Sequence, residues 1–256
     1  MEERNVIYLA TGEGLYMSTD SGATWAKKPL ANGANDTEVK DIFVTDSTIY
    51  LATFTAMQCG KPSALQGGVS FSNDNGISWT HKGLAQGLQS NCMVALSVDG
   101  SSIYSLSFDS ALNISKDGGL SWQVKYLDNG FHSRFYVSGT NMYRATSNNG
   151  IFISSDGGAT WLHKTKNDGI GGNKVNDIYL ADSTIYLATE NQVSISTDGG
   201  NSWSNKPIQN SKSNDIIAIS GSGTTIYAAA RLGLFVSTNA AESWEELIHF
   251  EDFFEG

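Results

Sequence analysis

The chain has 256 residues, 40% of them hydrophobic, and a formal net charge of −10 from 16 Lys and Arg against 26 Asp and Glu. Such a chain can build a core and is not globally disordered. Its acidic balance excludes nucleic acid, which is bound through clustered basic side chains, and no apolar run approaches the roughly 18 residues of a membrane span.

The first residues, MEERN, carry charge and lack the apolar segment of a signal peptide. A trimmed leader replaced by Met would leave the same start, so a periplasmic or secreted location is expected if a leader was removed and a cytoplasmic one otherwise. The run Val6-Ile-Tyr-Leu-Ala-Thr11 follows, rich in the β-branched and aromatic residues of strands, and then STDSGATW at 18–25. The same order returns with TIYLAT and SNDNGISW (72–79), SIYSLS and SKDGGLSW (115–122), NMYRAT and SSDGGATW (154–161), TIYLAT and STDGGNSW (196–203), and TIYAAA and STNAAESW (237–244). All six tryptophans close this phrase, S-x-D-x-G-x-x-W, at steps of 54, 43, 39, 42 and 41 residues.

Each period holds four short β-like runs, A to D, seen most clearly in the fifth, where they begin at Asp177, Thr184, Val193 and Ser202. Four strands repeated about every 40 residues are the signature of a propeller blade. The spacing predicts an all-β fold, a six-bladed β-propeller of four-stranded antiparallel blades forming one domain over 1–256. The blades are expected at 5–28 with 250–254, 38–82, 92–125, 133–164, 174–206 and 214–247. The chain opens on run B, and Glu251-Asp-Phe-Phe254 resembles the run-A starts Lys40-Asp-Ile-Phe43 and Asn176-Asp-Ile-Tyr179. The C-terminal strand is therefore expected to join the N-terminal blade and close the ring, leaving no free radial edge.

The repeated phrase lies between runs C and D and reads as a hairpin turn. Asp20, Asp74, Asp117, Asp156 and Asp198, with Asn239 in the last copy, can accept backbone N–H bonds in an Asx turn. The glycine permits positive φ. Trp25, Trp79, Trp122, Trp161, Trp203 and Trp244 bring apolar surface to the gap between blades. Calcium needs six to eight oxygen ligands and each turn offers one obligatory carboxylate, so a metal role is not expected. In the sixth copy Ala241 replaces the glycine, at a cost of about 1 kcal/mol if φ is positive there.

S-x-D-x-G-x-x-W resembles the Asp-box, or bacterial neuraminidase repeat, and its six copies span the whole chain. The resemblance implies a β-propeller whose boxes lie on the periphery, away from the ligand face. That family includes sialidases, glucan hydrolases, sortilin-type receptors and photosystem II assembly-factor-like proteins. The stretch LATGEGLYMSTDSGATW is similar in style to the last group, which usually has seven blades and an Arg-rich patch; six repeats and four arginines here depart from that pattern.

Lys28, Lys82, Lys125, Lys164 and Lys206 each stand three residues after a Trp, where lysine blunts an exposed strand edge. Alternating strand direction puts the repeated turns and A–B turns at one end of the blades, and the longer B–C loops and D–A linkers at the other. Loops of that second kind usually carry binding. The candidates there are Phe54, Phe108, Asp109, Phe131, His132, Arg134, Arg231 and His249. Asp41, Asp177, Asp215 and Asp252 at the run-A starts, with Arg134 matching them, could ring a central funnel. Cys59, in the insertion 54–68, and Cys92 lie at the same end of adjacent blades, so a disulfide between them is geometrically plausible. Two cysteines are too few for a disulfide scaffold. Arg144 replaces a packed leucine and needs a partner, expected as an ion pair. The histidines lack metal-ligand spacing, and no cofactor is expected.

Sialidases require three arginines on the substrate carboxylate. Only Arg134 and Arg231 fall at the loop end, so no catalytic residue is assigned. The sequence favours a non-catalytic, monomeric binding propeller with a protein partner. A glycan-binding lectin is the alternative, and a glycoside hydrolase with an unrecognised carboxylate pair the third reading.

Overall fold

The computed structural model describes residues 6–30, 38–45, 48–55, 67–127, 132–209 and 215–249. Their strands form six antiparallel sheets in chain order. The first comprises β1 (Ile7–Thr11), β2 (Gly14–Ser18) and β3 (Ala26–Lys28), and the second β4 (Glu38–Val44), β5 (Ile49–Phe54), β6 (Gly68–Ser72) and β7 (Thr80–Lys82). The third holds β8 (Met93–Asp99), β9 (Ser102–Ser107), β10 (Ala111–Ser115) and β11 (Gln123–Tyr126), and the fourth β12 (His132–Ser138), β13 (Asn141–Thr146), β14 (Ile151–Ser154) and β15 (Leu162–Lys164). The fifth holds β16 (Val175–Ala181), β17 (Thr184–Thr189), β18 (Val193–Ser196) and β19 (Ser204–Lys206), and the sixth β20 (Ile216–Ser222), β21 (Thr225–Ala230), β22 (Gly233–Ser237) and β23 (Glu245–His249).

The fold is a six-bladed β-propeller, as the repeat predicts. Five sheets have four strands and the first has three among the described residues; residues 250–254, expected as its fourth, lie outside them. The chain divides into two compact units, Met1–Asn129 and Gly130–Gly256, each with three sheets. No helix among the described residues is long and apolar enough to cross a membrane.

The fifth blade buries both of its faces, which is why its strands read as nearly continuous apolar runs. On β17, Ile185 and Leu187 pack against Tyr143, Ala145, Ile151 and Ile153 of the fourth blade. Tyr186 and Ala188, pointing the other way, pack against Ile219, Ile226 and Ala228 of the sixth. In the first unit, Leu15, Val39, Ile49 and Leu51 fill the layer between blades one and two, and Ala52, Val69, Met93, Leu96 and Ile103 that between two and three. Trp79, Trp122, Trp203 and Trp244 pack onto these layers, the apolar role expected of them. The linkers are pinned there too, by Leu30, Leu88, Ile170 and Ile208.

All five described run-A strands carry a β-bulge near their start, between Val39 and Asp41, Met93 and Ala95, His132 and Arg134, Val175 and Asp177, and Ile216 and Ala218. A bulge re-aims the side chain beside it. It therefore fixes which residues of different blades are equivalent: Asp41, Ala95, Arg134, Asp177 and Ala218.

Candidate functional site

The repeated turn is a closed hydrogen-bond unit built the same way in its five Asp-containing copies. In the fourth copy Ser154 Oγ donates to Asp156 Oδ1 at 2.8 Å and accepts from Gly158 N at 2.8 Å. Thr160 donates its N–H to Asp156 Oδ1 at 2.9 Å and its hydroxyl to Oδ2 at 2.6 Å. Thr24, Ser78, Ser121 and Ser202 repeat this double donation to Asp20, Asp74, Asp117 and Asp198. Both carboxylate oxygens are thus taken up within the turn. The hydroxyl, and after it the N–H, of that seventh residue hold Asp20, Asp74, Asp117 and Asp198 at about 2 and Asp156 lower still. The hydroxyl at position seven is present in all six copies, a regularity that S-x-D-x-G-x-x-W leaves out.

The fourth and fifth residues of every copy have positive φ, from Ser21 (58°) and Gly22 (92°) to Ala240 (57°) and Ala241 (68°). The positive φ expected at Ala241 is present. A Cβ at Gly200 would lie 2.2 Å from Ile153 Cδ1, so glycine there also permits a close approach to the fourth blade. In the last copy Asn239 keeps the acceptor, taking the Ser243 N–H at 3.0 Å, and donates from Nδ2 to Ser243 Oγ at 2.9 Å.

The two ends of the blades differ as alternating strand direction requires. At one end the repeated turns meet the A–B turns: Gly118, Gly157 and Ala240 donate N–H bonds to Ser101, Thr140 and Thr224 carbonyls at 2.9–3.0 Å. At the other, B–C loops meet linkers: Phe108 N donates to Cys92 O at 2.9 Å, Gly150 N to Asn173 O at 2.7 Å and Glu190 N to Lys174 O at 3.1 Å.

The run-A carboxylates at this loop end join blades. Asp41 Oδ1 accepts from Ile42 N at 3.0 Å and Oδ2 from Leu96 N of the next blade at 2.9 Å. Asp177 does the same with Ile178 N and Ile219 N, both at 3.0 Å, and takes Arg134 Nε of the preceding blade at 3.0 Å. Asp215 stands elsewhere: the bulge register aligns it with Lys174, not with Asp177. Lys174 Nζ pairs with it at 3.0 Å, Asn176 Nδ2 donates to it at 3.0 Å and Arg231 lies at 3.6 Å. Burial pushes the Asp215 carboxyl up, and the bonds from Lys174 and Asn176 with the charges of Lys174 and Arg231 outweigh it, leaving it below the usual range.

In the first unit the two loop aromatics of blades two and three come together. Phe54, last residue of β5, and Phe108, first after β9, meet edge to face with centroids 6.0 Å apart. Lys40 Nζ lies 5.0 Å from the Phe54 centroid and pairs with Glu38. Phe108 is 50% exposed. Asp109, beside it, accepts a hydrogen bond from Ser107 Oγ. Cys92, whose carbonyl takes the Phe108 N–H, is buried and is not a free thiol; Cys59 lies outside the described residues, so their pairing stands as a proposal.

The other candidates are dispersed. His132 opens β12 and His249 ends β23, strand positions rather than the linker positions expected of them; His249 Nδ1 lies 2.7 Å from Glu246 Oε1. Phe131 and Asp252 lie outside the described residues. Arg144 is buried with its guanidinium carbon 4.0 Å from the Phe152 centroid, and His163 stacks on Phe152 at 4.1 Å. The three align across adjacent strands, so the guanidinium lies against an aromatic stack.

No protein-family model matches the chain, and no curated protein matches it in sequence. Solved structures do resemble it. YCF48 bound to D1 peptide aligns with a TM-score of 0.70 at 14% identity over 96% of this chain and 79% of that one. YCF48 from Cyanidioschyzon merolae gives 0.62 at 17% identity over 88% and 74%. The GH74 xyloglucanase from Xanthomonas campestris gives 0.70 at 16% identity over 96% of this chain and 44% of that one, so this chain spans under half of the enzyme's length. At these identities the likeness is one of fold.

Proposed function

We propose that the chain is an Asp-box propeller acting as a non-catalytic binding module, and that it takes a protein partner through the end bearing the B–C loops and linkers. The observation that carries this reading is the Phe54–Phe108 platform, with Phe108 half exposed and Lys40 against Phe54. An exposed aromatic braced by a second ring is a low-entropy anchor for an apolar side chain of a partner. The other candidate groups at this end are engaged in holding blades together: Asp41 and Asp177 bind backbone N–H groups of neighbouring blades, and Asp215 is enclosed by three donors. A peptide-bound propeller among the structures of like fold supports the same reading.

The platform would also suit the apolar face of a sugar, the basis of the lectin alternative. Selection from a displayed random peptide library, run beside a glycan array on wild type and Phe108→Ser, separates the two. Peptides that bind wild type and not the variant support the proposal, and glycan binding alone overturns it.

A further inference from the structure

A groove lies at the repeated-turn end of the fifth and sixth blades, between them. Thr184, Tyr186, Thr197 and Ser202 of the fifth blade and Ala240 and Glu242 of the sixth line a groove of about 370 Å³. Tyr186 is 4% exposed, and its ring meets Tyr179 at 5.8 Å. Its hydroxyl has no hydrogen-bond partner among the described residues. The hydroxyl is not one of the buried unpaired polar atoms, and Tyr186 lines the groove, so the groove offers an accessible acceptor.

The third blade carries the equivalent phenol with a partner of its own. Tyr104 stands opposite Ile114 as Tyr186 stands opposite Ile195, which makes Lys116 the counterpart of Thr197. Lys116 Nζ lies 4.5 Å from the Tyr104 centroid and donates to the Tyr104 hydroxyl. That is a cation–π contact and a charge-assisted hydrogen bond made by one ammonium on one buried phenol. In the fifth blade threonine cannot reach so far, and the ring and hydroxyl that would hold an ammonium are left to the groove.

We propose that this groove binds a primary alkylammonium group such as that of a lysine side chain. Glu242, with its side chain 63% exposed, supplies a carboxylate at the rim and is paired with Lys206 at 2.7 Å. Asp198, held by Ser202, adds a second negative charge close by. These two carboxylates against the one ammonium of Lys206 leave the mouth net negative, as a cationic ligand requires. The site is independent of the Phe54–Phe108 reading, since it lies at the repeated-turn end and on the other unit.

The full chain titrated with Nα-acetyl-lysine methylamide, followed by ¹⁵N–¹H correlation spectra, tests this. Saturable shifts are expected at the amides of Thr197, Ala240 and Glu242. The uncharged norleucine analogue should give none, and n-butylamine should compete at the same amides. Thr197→Lys fills the groove with the chain's own ammonium and should weaken binding at least tenfold. Tyr186→Phe keeps the ring, removes the acceptor and should weaken it several-fold. No saturable shift in wild type, equal binding of the norleucine analogue, or unchanged binding in a folded Thr197→Lys would overturn the proposal. Should Thr197→Lys fail to fold, unchanged binding in Tyr186→Phe would overturn it as well.

Discussion

Asp177, on the innermost strand of the fifth blade, accepts the backbone N–H of Ile219, on the innermost strand of the sixth, at 3.0 Å. Its other oxygen takes Ile178 N and Arg134 Nε, so one carboxylate ties three successive blades. Asp41 makes the same two-blade link to Leu96 in the first unit. These residues looked in the sequence like a ring of funnel carboxylates. In the structure they staple neighbouring inner strands, where a bulge turns each side chain toward the next blade.

Asp177→Ala should therefore destabilise the protein by about 2–3 kcal/mol, because it strands two backbone donors and removes the pair with Arg134. Asp215→Ala should cost under about 1 kcal/mol, since its pairs with Lys174 and Arg231 are partly solvated. Urea unfolding of the two variants checks the ranking. Equal losses would contradict the staple.

The repeated turns make stability depend on acid. Asp20, Asp74, Asp117 and Asp198 titrate near 2 when folded, against a reference value of 3.8. A folded pKa below the unfolded one means the charged form is the stabilising one. The contribution is complete above about pH 4 and is lost as pH falls through about 2. Melting temperatures should drop steeply across that window in wild type and less steeply in Asp74→Asn. The sixth copy, with Asn239, should contribute nothing to the slope, so Asn239→Asp should steepen it.

The drifted copy offers a stabilising substitution. Ala240 and Ala241 both adopt positive φ, which strains a residue bearing a Cβ. Ala241 is fully buried in the layer between blades five and six, so its methyl group recovers about 0.8 kcal/mol that glycine would forfeit. Ala240 makes no such core contribution. Ala240→Gly should raise stability by about 0.5–1 kcal/mol and Ala241→Gly should be close to neutral. Calorimetry should show a rise of about 1–4 °C for the first and almost none for the second.

Blade number, strand order and the division of loops between the two ends were legible because each depends on a local pattern repeated along the chain. The hydroxyl donor at position seven of the turn was equally visible, as Thr24, Ser78, Ser121, Thr160, Ser202 and Ser243, but its purpose appears only when its distance to the Asp carboxylate is known. The second residue of positive φ was hidden because Ser21, Asn75 and Ala240 share no side-chain signature there. The staples were not legible: that Asp177 reaches Ile219 depends on a bulge and on blade-to-blade register. For the same reason Asp215 looked equivalent to Asp177, though the bulge register makes it the counterpart of Lys174. Phe54 and Phe108 could be placed at the loop end one by one, and only the packing of adjacent blades makes them a pair.

Phe108 is half exposed and lies beyond the end of its strand, so Phe108→Ser should leave thermal stability within about 0.5 kcal/mol of wild type. A larger loss would make the platform part of the core rather than a binding surface.

The central claim is that the loop end of the first unit anchors a partner peptide on Phe54 and Phe108. The most direct measurement is the Kd of a library-selected peptide for wild type, Phe108→Tyr and Phe108→Ser. The account predicts comparable affinity for wild type and Phe108→Tyr, and at least a tenfold loss for Phe108→Ser with the fold intact. Equal affinity for all three would contradict it.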